Sequence, residues 1–116
     1  MRNRMKKTGK HLIVDIHECK HMPTHSELYN FIDHIVELVH MRKLISPYIV
    51  KGAPNNPGIT GFIIIETSHI SIHTFETTNT IAMDLYSCKT FNHQIILKEV
   101  KKAFKPTDIK YKIFPR

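Results

Sequence analysis

The chain has 116 residues, of which 41% are hydrophobic and 23% are charged, a balance typical of one folded domain with a single core (residues 1–116). The net charge of +7 comes mainly from the basic start and from Lys98 to Lys112. Because no aromatic-rich strand accompanies these basic residues, we interpret them as solvent-exposed surface charge rather than as a site for nucleic acid. No apolar run approaches the roughly 20 residues that cross a bilayer, and the start lacks an apolar signal segment, so we expect a cytoplasmic protein without a membrane partner.

The first part of the chain predicts a strand, a helix and a second strand. Residues 11–16 are a short apolar run typical of a strand. Thr24 and Glu27 have the spacing of a capping box, and apolar residues then recur at helical spacing, so we predict an amphipathic helix over 25–42. A second strand is expected over 44–50.

The middle of the chain predicts three consecutive strands. Residues 52–58 are rich in glycine, proline and asparagine, which indicates a loop. Strand-like runs follow at 60–66, 69–76 and 80–87, with a hairpin turn expected at 77–79.

The end of the chain predicts a helix and a last strand. Apolar residues between Ile95 and Phe104 have helical spacing, and Pro106 stops the helix. Residues 109–113 alternate between apolar and lysine side chains, which indicates a strand. The order β-α-β-β-β-β-α-β predicts an α+β fold, a two-layer sandwich of a mainly antiparallel sheet with two helices on one face.

Two interpretations of the histidines and cysteines are not favoured. The segment after the first strand holds five possible zinc ligands, but their spacing matches no standard zinc motif and Lys20 lies among them, so we expect no metal; the five are His17, Glu18, Cys19, His21 and His25. A Cys-His hydrolase using Cys88 lacks a flanking oxyanion-hole motif. Both cysteines are expected to be reduced.

The segment TSHISIHTFE (67–76) alternates with period two but carries two serines and two histidines. With MDLYSC (83–88), it resembles the signature of the prokaryotic pyruvoyl-dependent S-adenosylmethionine decarboxylases. GKHLIVDIHEC (9–19) resembles the first strand of that family, and PGITGFIII (57–65) resembles its glycine-flanked turn and buried strand. The resemblance extends in order over residues 9–104.

The resemblance implies that the chain makes its own cofactor. The Ser68 hydroxyl would attack the carbonyl of Thr67, the resulting ester would eliminate, and the chain would separate into 1–67 and 68–116 with a pyruvoyl group in place of Ser68. The pyruvoyl ketone would form a Schiff base with the substrate amine and act as an electron sink. His73 matches the histidine that transfers protons during processing, and Cys88 the cysteine that donates a proton after decarboxylation.

The spacing of Ser68 and His73 sets a geometric condition. Five residues separate them, so on a continuous strand their side chains lie on opposite faces. They converge only if the chain turns or bulges at the serine, and such strain would also favour the acyl shift. Thr67 departs from the family's glutamate at that position, but its side chain takes no part in the shift.

The substrate prediction depends on residues near the turn at 77–79. Phe75 stands at a position where the family has an aromatic residue, and its ring could stack on the base of an adenosyl group; Glu76 is one place away from the family's acidic residue. The family's second aromatic falls at Pro54. A basic amino acid would instead need a carboxylate, for which the candidates are Asp15, Glu18 and Asp84.

These observations predict a self-processing decarboxylase of S-adenosylmethionine, a carboxy-lyase that supplies aminopropyl groups for spermidine and other polyamines. Two alternatives stay open: an arginine or ornithine decarboxylase on the same fold, and a non-catalytic basic RNA-binding domain. A single sheet with helices on one face leaves its other face uncovered, so we expect a homodimer of processed protomers. The resemblance implies active sites at or near the interface.

Overall fold

The computed structural model describes residues 9–55 and 57–116. The basic start before Gly9 and Asn56 of the predicted loop therefore lie outside the described residues. The elements follow the predicted order: β1 (Lys10–His17), α1 (His25–Leu38), β2 (Tyr48–Lys51), β3 (Ile59–Ile65), β4 (Ser68–Phe75), β5 (Thr80–Ser87), α2 (His93–Phe104) and β6 (Asp108–Pro115).

The six strands form one sheet in the order β2-β3-β4-β5-β1-β6, and all five strand pairs are antiparallel. One side of the sheet carries the buried residues and packs against the helices; we call it the covered face. We call the other side the open face. The predicted two-layer α+β sandwich is therefore confirmed.

The core lies between the helices and the covered face. Phe31 of α1 and Phe104 of α2 pack with ring centroids 4.8 Å apart, which joins the two helices. Gly61 of β3 gives α1 room to approach, because a Cβ there would lie 2.6 Å from the side chain of Ile32. Alternate strand residues complete the core: Leu12, Val14, Ile16, Ile63, Ile65, Ile70, Ile72, Ile81, Met83 and Leu85.

The predicted capping box is present at the start of α1. Glu27 N–H donates to Thr24 Oγ1 at 3.2 Å, and Thr24 N–H donates to Glu27 Oε1 at 2.9 Å. These bonds satisfy backbone groups that the first helical turn leaves unpaired.

Two predicted boundaries are wrong. The helix ends at Leu38 rather than at residue 42, because His40 adopts a left-handed conformation with φ of 56°. The second strand covers Tyr48–Lys51 rather than 44–50; upstream only Lys43 bridges to Ile65, and Pro47 has no N–H to continue the ladder. Among the described residues, no helix is long and apolar enough to cross a membrane.

Candidate active site

The turn between β3 and β4 holds the predicted cleavage point. Thr67 adopts a left-handed conformation with φ of 57°, which is unusual for a β-branched residue. Such a conformation costs on the order of 1–3 kcal/mol and persists only where its surroundings hold it. The hydroxyl of Thr67 donates to the carbonyl of Glu66 at 2.6 Å. The predicted strain is therefore located in the residue before Ser68.

Ser68 begins β4 and directs its side chain to the covered face, where it is buried. Its hydroxyl donates to the hydroxyl of Ser87 at 2.7 Å, and Ser87 is its directly paired residue on β5. Ser87 also accepts from the backbone N–H of Lys89 at 2.9 Å. The candidate nucleophile is thus held in place by a neighbouring strand rather than exposed to solvent.

The carbonyl of Thr67, which the Ser68 hydroxyl would attack, has a donor of its own. The backbone N–H of Cys88 donates to this oxygen at 3.3 Å. Attack on the carbonyl would develop negative charge on the oxygen, and a fixed N–H beside it stabilises that charge. The end of β5 therefore contacts both the nucleophile and the group it would attack.

The thiol of Cys88 lies on the other side of the same segment. Cys88 is exposed, and its sulfur lies 3.1 Å from the hydroxyl of Tyr86, a residue of the open face. The hydrogen bond with Cys88 raises the pKa of Tyr86 above its ordinary value of 10.0. Cys88 thus presents its amide to the scissile carbonyl and its thiol toward the open face.

His73 lies on the open face, is exposed, and its Nδ1 is 2.9 Å from Thr60 Oγ1. It is five residues along β4 from Ser68, about 16 Å at the usual rise of a strand. The pairing of β4 with β5 is continuous from Ser68 to Phe75, so there is no bulge at the serine. Within one protomer the structure does not bring His73 to Ser68.

The predicted adenosyl residues lie near the far end of β4. Phe75 is half-buried on the open face, and Glu76 is exposed in the following turn. Glu76 and Pro54 line one cavity of about 560 Å³, together with other residues of the loop before β3. Phe75 is outside this lining. Glu76, the predicted acidic residue, therefore lines the same cavity as Pro54, which stands where the family has its second aromatic residue.

The three candidate carboxylates lie in different surroundings. Asp15 is exposed on the open face and shares a cross-strand row with His73, since both pair with Ala82. Asp84 is half-buried on the same face opposite Ser71. Glu18 lies outside the sheet and accepts a hydrogen bond from the hydroxyl of Thr107. Asp15 and Asp84 are therefore the candidates that share a face with His73.

No cluster of three or more histidine, cysteine, aspartate or glutamate side chains suited to a metal is found within residues 9–55 and 57–116. Cys19 is buried, and that burial raises the pKa of its thiol. His21 pairs instead with Glu27, at 2.9 Å between Nε2 and Oε1.

A family model described as S-adenosylmethionine decarboxylase matches residues 10–116. The chain belongs to the S-adenosylmethionine decarboxylase family. This confirms the predicted family and enzyme class, since the decarboxylases of this family are carboxy-lyases.

Similar proteins support the same assignment. An S-adenosylmethionine decarboxylase proenzyme of Clostridium botulinum (strain Langeland) is 31% identical over 115 residues, covering 91% of this chain and 93% of the relative. The S-adenosylmethionine decarboxylase proenzyme 2 of Bacillus cereus is 30% identical and covers 90% and 85%. The crystal structure of the adenosylmethionine decarboxylase from Aquifex aeolicus is 19% identical, with a TM-score of 0.77, and covers 97% of this chain and 92% of that one. This last likeness supports the fold.

One contact of the candidate site had no counterpart in the sequence predictions. Ser87 belongs to the segment that carries the resemblance, but no role followed from its residue type. Its contact with Ser68 depends on the register of β4 against β5, and neither strand's own pattern fixes that register.

Proposed function

We propose that the chain is a proenzyme that cuts itself between Thr67 and Ser68 and then decarboxylates S-adenosylmethionine for polyamine synthesis. The observation that carries this proposal is the double contact at the end of β5. Ser87 holds the Ser68 hydroxyl at 2.7 Å, and the Cys88 N–H contacts the Thr67 carbonyl at 3.3 Å.

The cleavage follows from the bonds at this point. The Ser68 oxygen forms a bond to the carbonyl carbon of Thr67, the peptide C–N bond breaks, and the freed amine takes up the hydroxyl proton. Removal of the Ser68 Cα proton then expels the Thr67 carboxylate and leaves a dehydroalanine. Addition of water and loss of ammonia give the pyruvoyl group. The strain at Thr67 favours the first step, because cleavage frees that residue from its left-handed conformation.

The residues around Ser68 suit a pyruvoyl group. Its ketone would supply an electron sink for decarboxylation. Cys88 would donate the proton that replaces the lost carboxylate, because its backbone N–H already contacts the carbonyl of Thr67 next to Ser68. The hydroxyl of Tyr86 contacts the sulfur at 3.1 Å and orients it.

Family membership favours S-adenosylmethionine over arginine or ornithine as substrate. In the dimer proposed below, the cavity of about 560 Å³ that Glu76 and Pro54 of one protomer line would offer a carboxylate to the ribose hydroxyls of a substrate bound near Ser68 of the other protomer, since the cavity lies beyond His73 at the far end of β4. Phe75 would supply an aromatic face for the base or the sulfonium. Asp15 would hold the far end of a basic amino acid under the alternative proposal, since it lies on the same face as His73.

We further propose a homodimer in which His73 acts on the Ser68 region of the partner. Within a protomer the two residues are about 16 Å apart on opposite faces of a continuous strand. A second copy on the open face would bring another His73 to the side on which the Cys88 thiol lies. In a two-fold interface each copy contributes the same pair, so two equivalent sites result.

The open face has the composition of such an interface. Large apolar side chains are exposed along β2, β3 and β6, and covering them would remove apolar area from water. They are Tyr48, Val50, Phe62, Ile64 and Phe114. We also propose a cytoplasmic location, as expected from the sequence. No nucleic acid or membrane partner is part of this proposal.

Intact-mass spectrometry of purified protein tests the cleavage. We expect fragments 1–67 and 68–116, the second blocked to Edman sequencing, and a single uncut chain for Ser68→Ala. Cleaved enzyme offered labelled S-adenosylmethionine, arginine or ornithine separately should release carbon dioxide from the first. An uncut wild type after long incubation would refute the proenzyme, and release from a basic amino acid alone would change the substrate.

Mixed dimers test which protomer supplies His73 to each active site. His73→Ala alone should process slowly, and Cys88→Ala alone should process but decarboxylate poorly. If His73 acts across the interface, a dimer of one His73→Ala and one Cys88→Ala protomer has one intact site. Co-expression should then restore about a quarter of wild-type activity, because half of the dimers are mixed and half of their sites intact. No gain over the single variants would place both residues in one protomer.

A further inference from the structure

Ser87 is a fully buried hydroxyl at the end of β5. A buried polar group is costly unless it is hydrogen-bonded, so its partners indicate why it is retained. The buried polar side chains among the described residues are Ser68, Thr74 and Ser87, and two of these three bond to each other. Ser87 forms and breaks no bond in the cleavage chemistry described above.

The contacts of Ser87 fix it as an acceptor. Its oxygen accepts the backbone N–H of Lys89 at 2.9 Å, which holds the side chain in one orientation. The same oxygen accepts the hydroxyl of Ser68 at 2.7 Å, a normal length for a bond between hydroxyls. Because Ser68 and Ser87 are also directly paired in the sheet, their backbones cannot shift independently.

We propose that Ser87 is a positioning residue for self-cleavage, which holds the Ser68 hydroxyl in the rotamer from which it attacks the Thr67 carbonyl. This inference rests on the proposed role of Ser68 as the nucleophile. Ser87 gains and loses no atoms: the Ser68 proton passes to the freed amine, and a neutral serine is too weak a base to keep it.

The adjacent residue makes such positioning effective. The Cys88 N–H holds the oxygen of the Thr67 carbonyl, so two consecutive residues of one strand end fix the nucleophile and its target. Holding reacting groups in the correct geometry accelerates a reaction, and a displacement of about 1 Å can cost on the order of 100-fold in rate. Ser87 therefore affects cleavage through geometry alone.

The role ends when the chain is cut. Conversion of Ser68 to a pyruvoyl group removes the hydroxyl that Ser87 accepts. Loss of the Ser87 hydroxyl should therefore slow processing but leave decarboxylation per pyruvoyl group unchanged. A merely structural serine would show no such separation, because a general loss of packing disturbs both steps.

The test compares Ser87→Thr with Ser87→Val, which have the same shape and differ in the hydroxyl. Self-cleavage of freshly purified protein is followed by intact mass, and melting curves report folding. We expect Ser87→Val to cleave about 10- to 100-fold more slowly than Ser87→Thr. Turnover per pyruvoyl group should be equal in the two. Thr74→Val, which loses a buried hydroxyl at the other end of β4, should cleave at the wild-type rate.

Equal cleavage rates for Ser87→Thr and Ser87→Val would overturn the inference, and so would faster cleavage of Ser87→Val. If neither variant folds, Ser87→Ala makes the smaller change and should also cleave at least about tenfold more slowly than wild type; a wild-type rate would again overturn the inference. A wild type that does not cut itself would refute the proposed function and this role together. A wild type that cleaves beside an equally fast Ser87→Val would refute this role alone.

Discussion

The two faces of the sheet differ in how far one chain completes them. On the covered face of β5, Ile81, Met83, Leu85 and Ser87 are all buried under the helices. On the open face, large apolar residues such as Phe62 and Ile64 remain exposed although they lie in central positions of β3. The helices of the same protomer cover the covered face, which holds the candidate nucleophile. The open face holds His73 and lacks a covering layer. The candidate site is therefore divided between a complete and an incomplete surface.

The largest effect is expected from a cavity on the covered face. Ile70 is fully buried at the centre of β4, so Ile70→Ala should lower the free energy of unfolding by about 2–5 kcal/mol. Urea denaturation measures the loss. Val50→Ala, at an exposed position of β2, should change the free energy by less than about 0.5 kcal/mol in the isolated protomer. Similar losses for the two variants would show that the faces do not differ in this way.

A smaller effect is expected from a charge on the open face. Phe62 and Ile95 have exposed fractions of 37% and 38%, but Phe62 lies on the open face and Ile95 on α2. Phe62→Glu should raise the dissociation constant of the dimer about 10- to 100-fold, or about 1.4–2.7 kcal/mol, because association would bury an unpaired carboxylate.

Ile95→Glu is the matched control and should leave the dimer intact. Analytical ultracentrifugation measures both, and melting curves show whether the protomer stays folded. An intact dimer in Phe62→Glu would mean that the copies meet elsewhere, and dissociation of Ile95→Glu would point to the helical layer.

The smallest effect concerns the helical layer above the covered face. The backbone N–H of Thr24, together with the side chain of His21, holds the pKa of Glu27 below its ordinary value of 4.5. A lowered pKa in the folded state stabilises the fold above the unfolded pKa, and this contribution is lost as the pH falls through the folded pKa. Glu27→Gln should therefore melt below the wild type at about pH 6, and the difference should shrink as the pH falls below 4.5 and the carboxylate of the folded protein takes up its proton.

Thr24→Ala distinguishes the contribution of the uncharged capping hydrogen bond from the contribution of the Glu27 charge. It removes the hydroxyl that accepts the Glu27 N–H and should cost about 1 kcal/mol both above and below pH 4.5. A pH-independent difference between Glu27→Gln and wild type would contradict the assigned pKa.

The sequence predicted most of the covered side, because that side is determined by local signals. The capping box, the period of α1 and the alternation of β3 to β5 depend on neighbouring residues alone. The errors at residues 39–47 lie where a left-handed His40 and Pro47 end regular structure. The contact between Ser68 and Ser87 was beyond local reasoning, since it joins residues 19 positions apart through strand register.

The sequence predicted that Ser68 and His73 lie on opposite faces of their strand, but it did not predict how the two residues could act on the same site. A bulge was the local way to bring the two together, and β4 is continuous instead. The spacing alone does not distinguish a distorted strand from a site shared between two copies. That distinction needs the sheet, because it shows which face lacks a covering layer.

The strand order has a consequence for the fate of a cut chain. Residues 1–67 contain β1, β2 and β3, whereas residues 68–116 contain β4, β5 and β6. In the sheet β1 lies between β5 and β6, and β3 lies beside β4. Three ladders would thus hold the two fragments together. They are the six residue pairs of β3 with β4, the seven of β1 with β5 and the eight of β1 with β6. Neither fragment could leave without breaking these strand pairs, so cleavage after Thr67 would leave the sheet assembled.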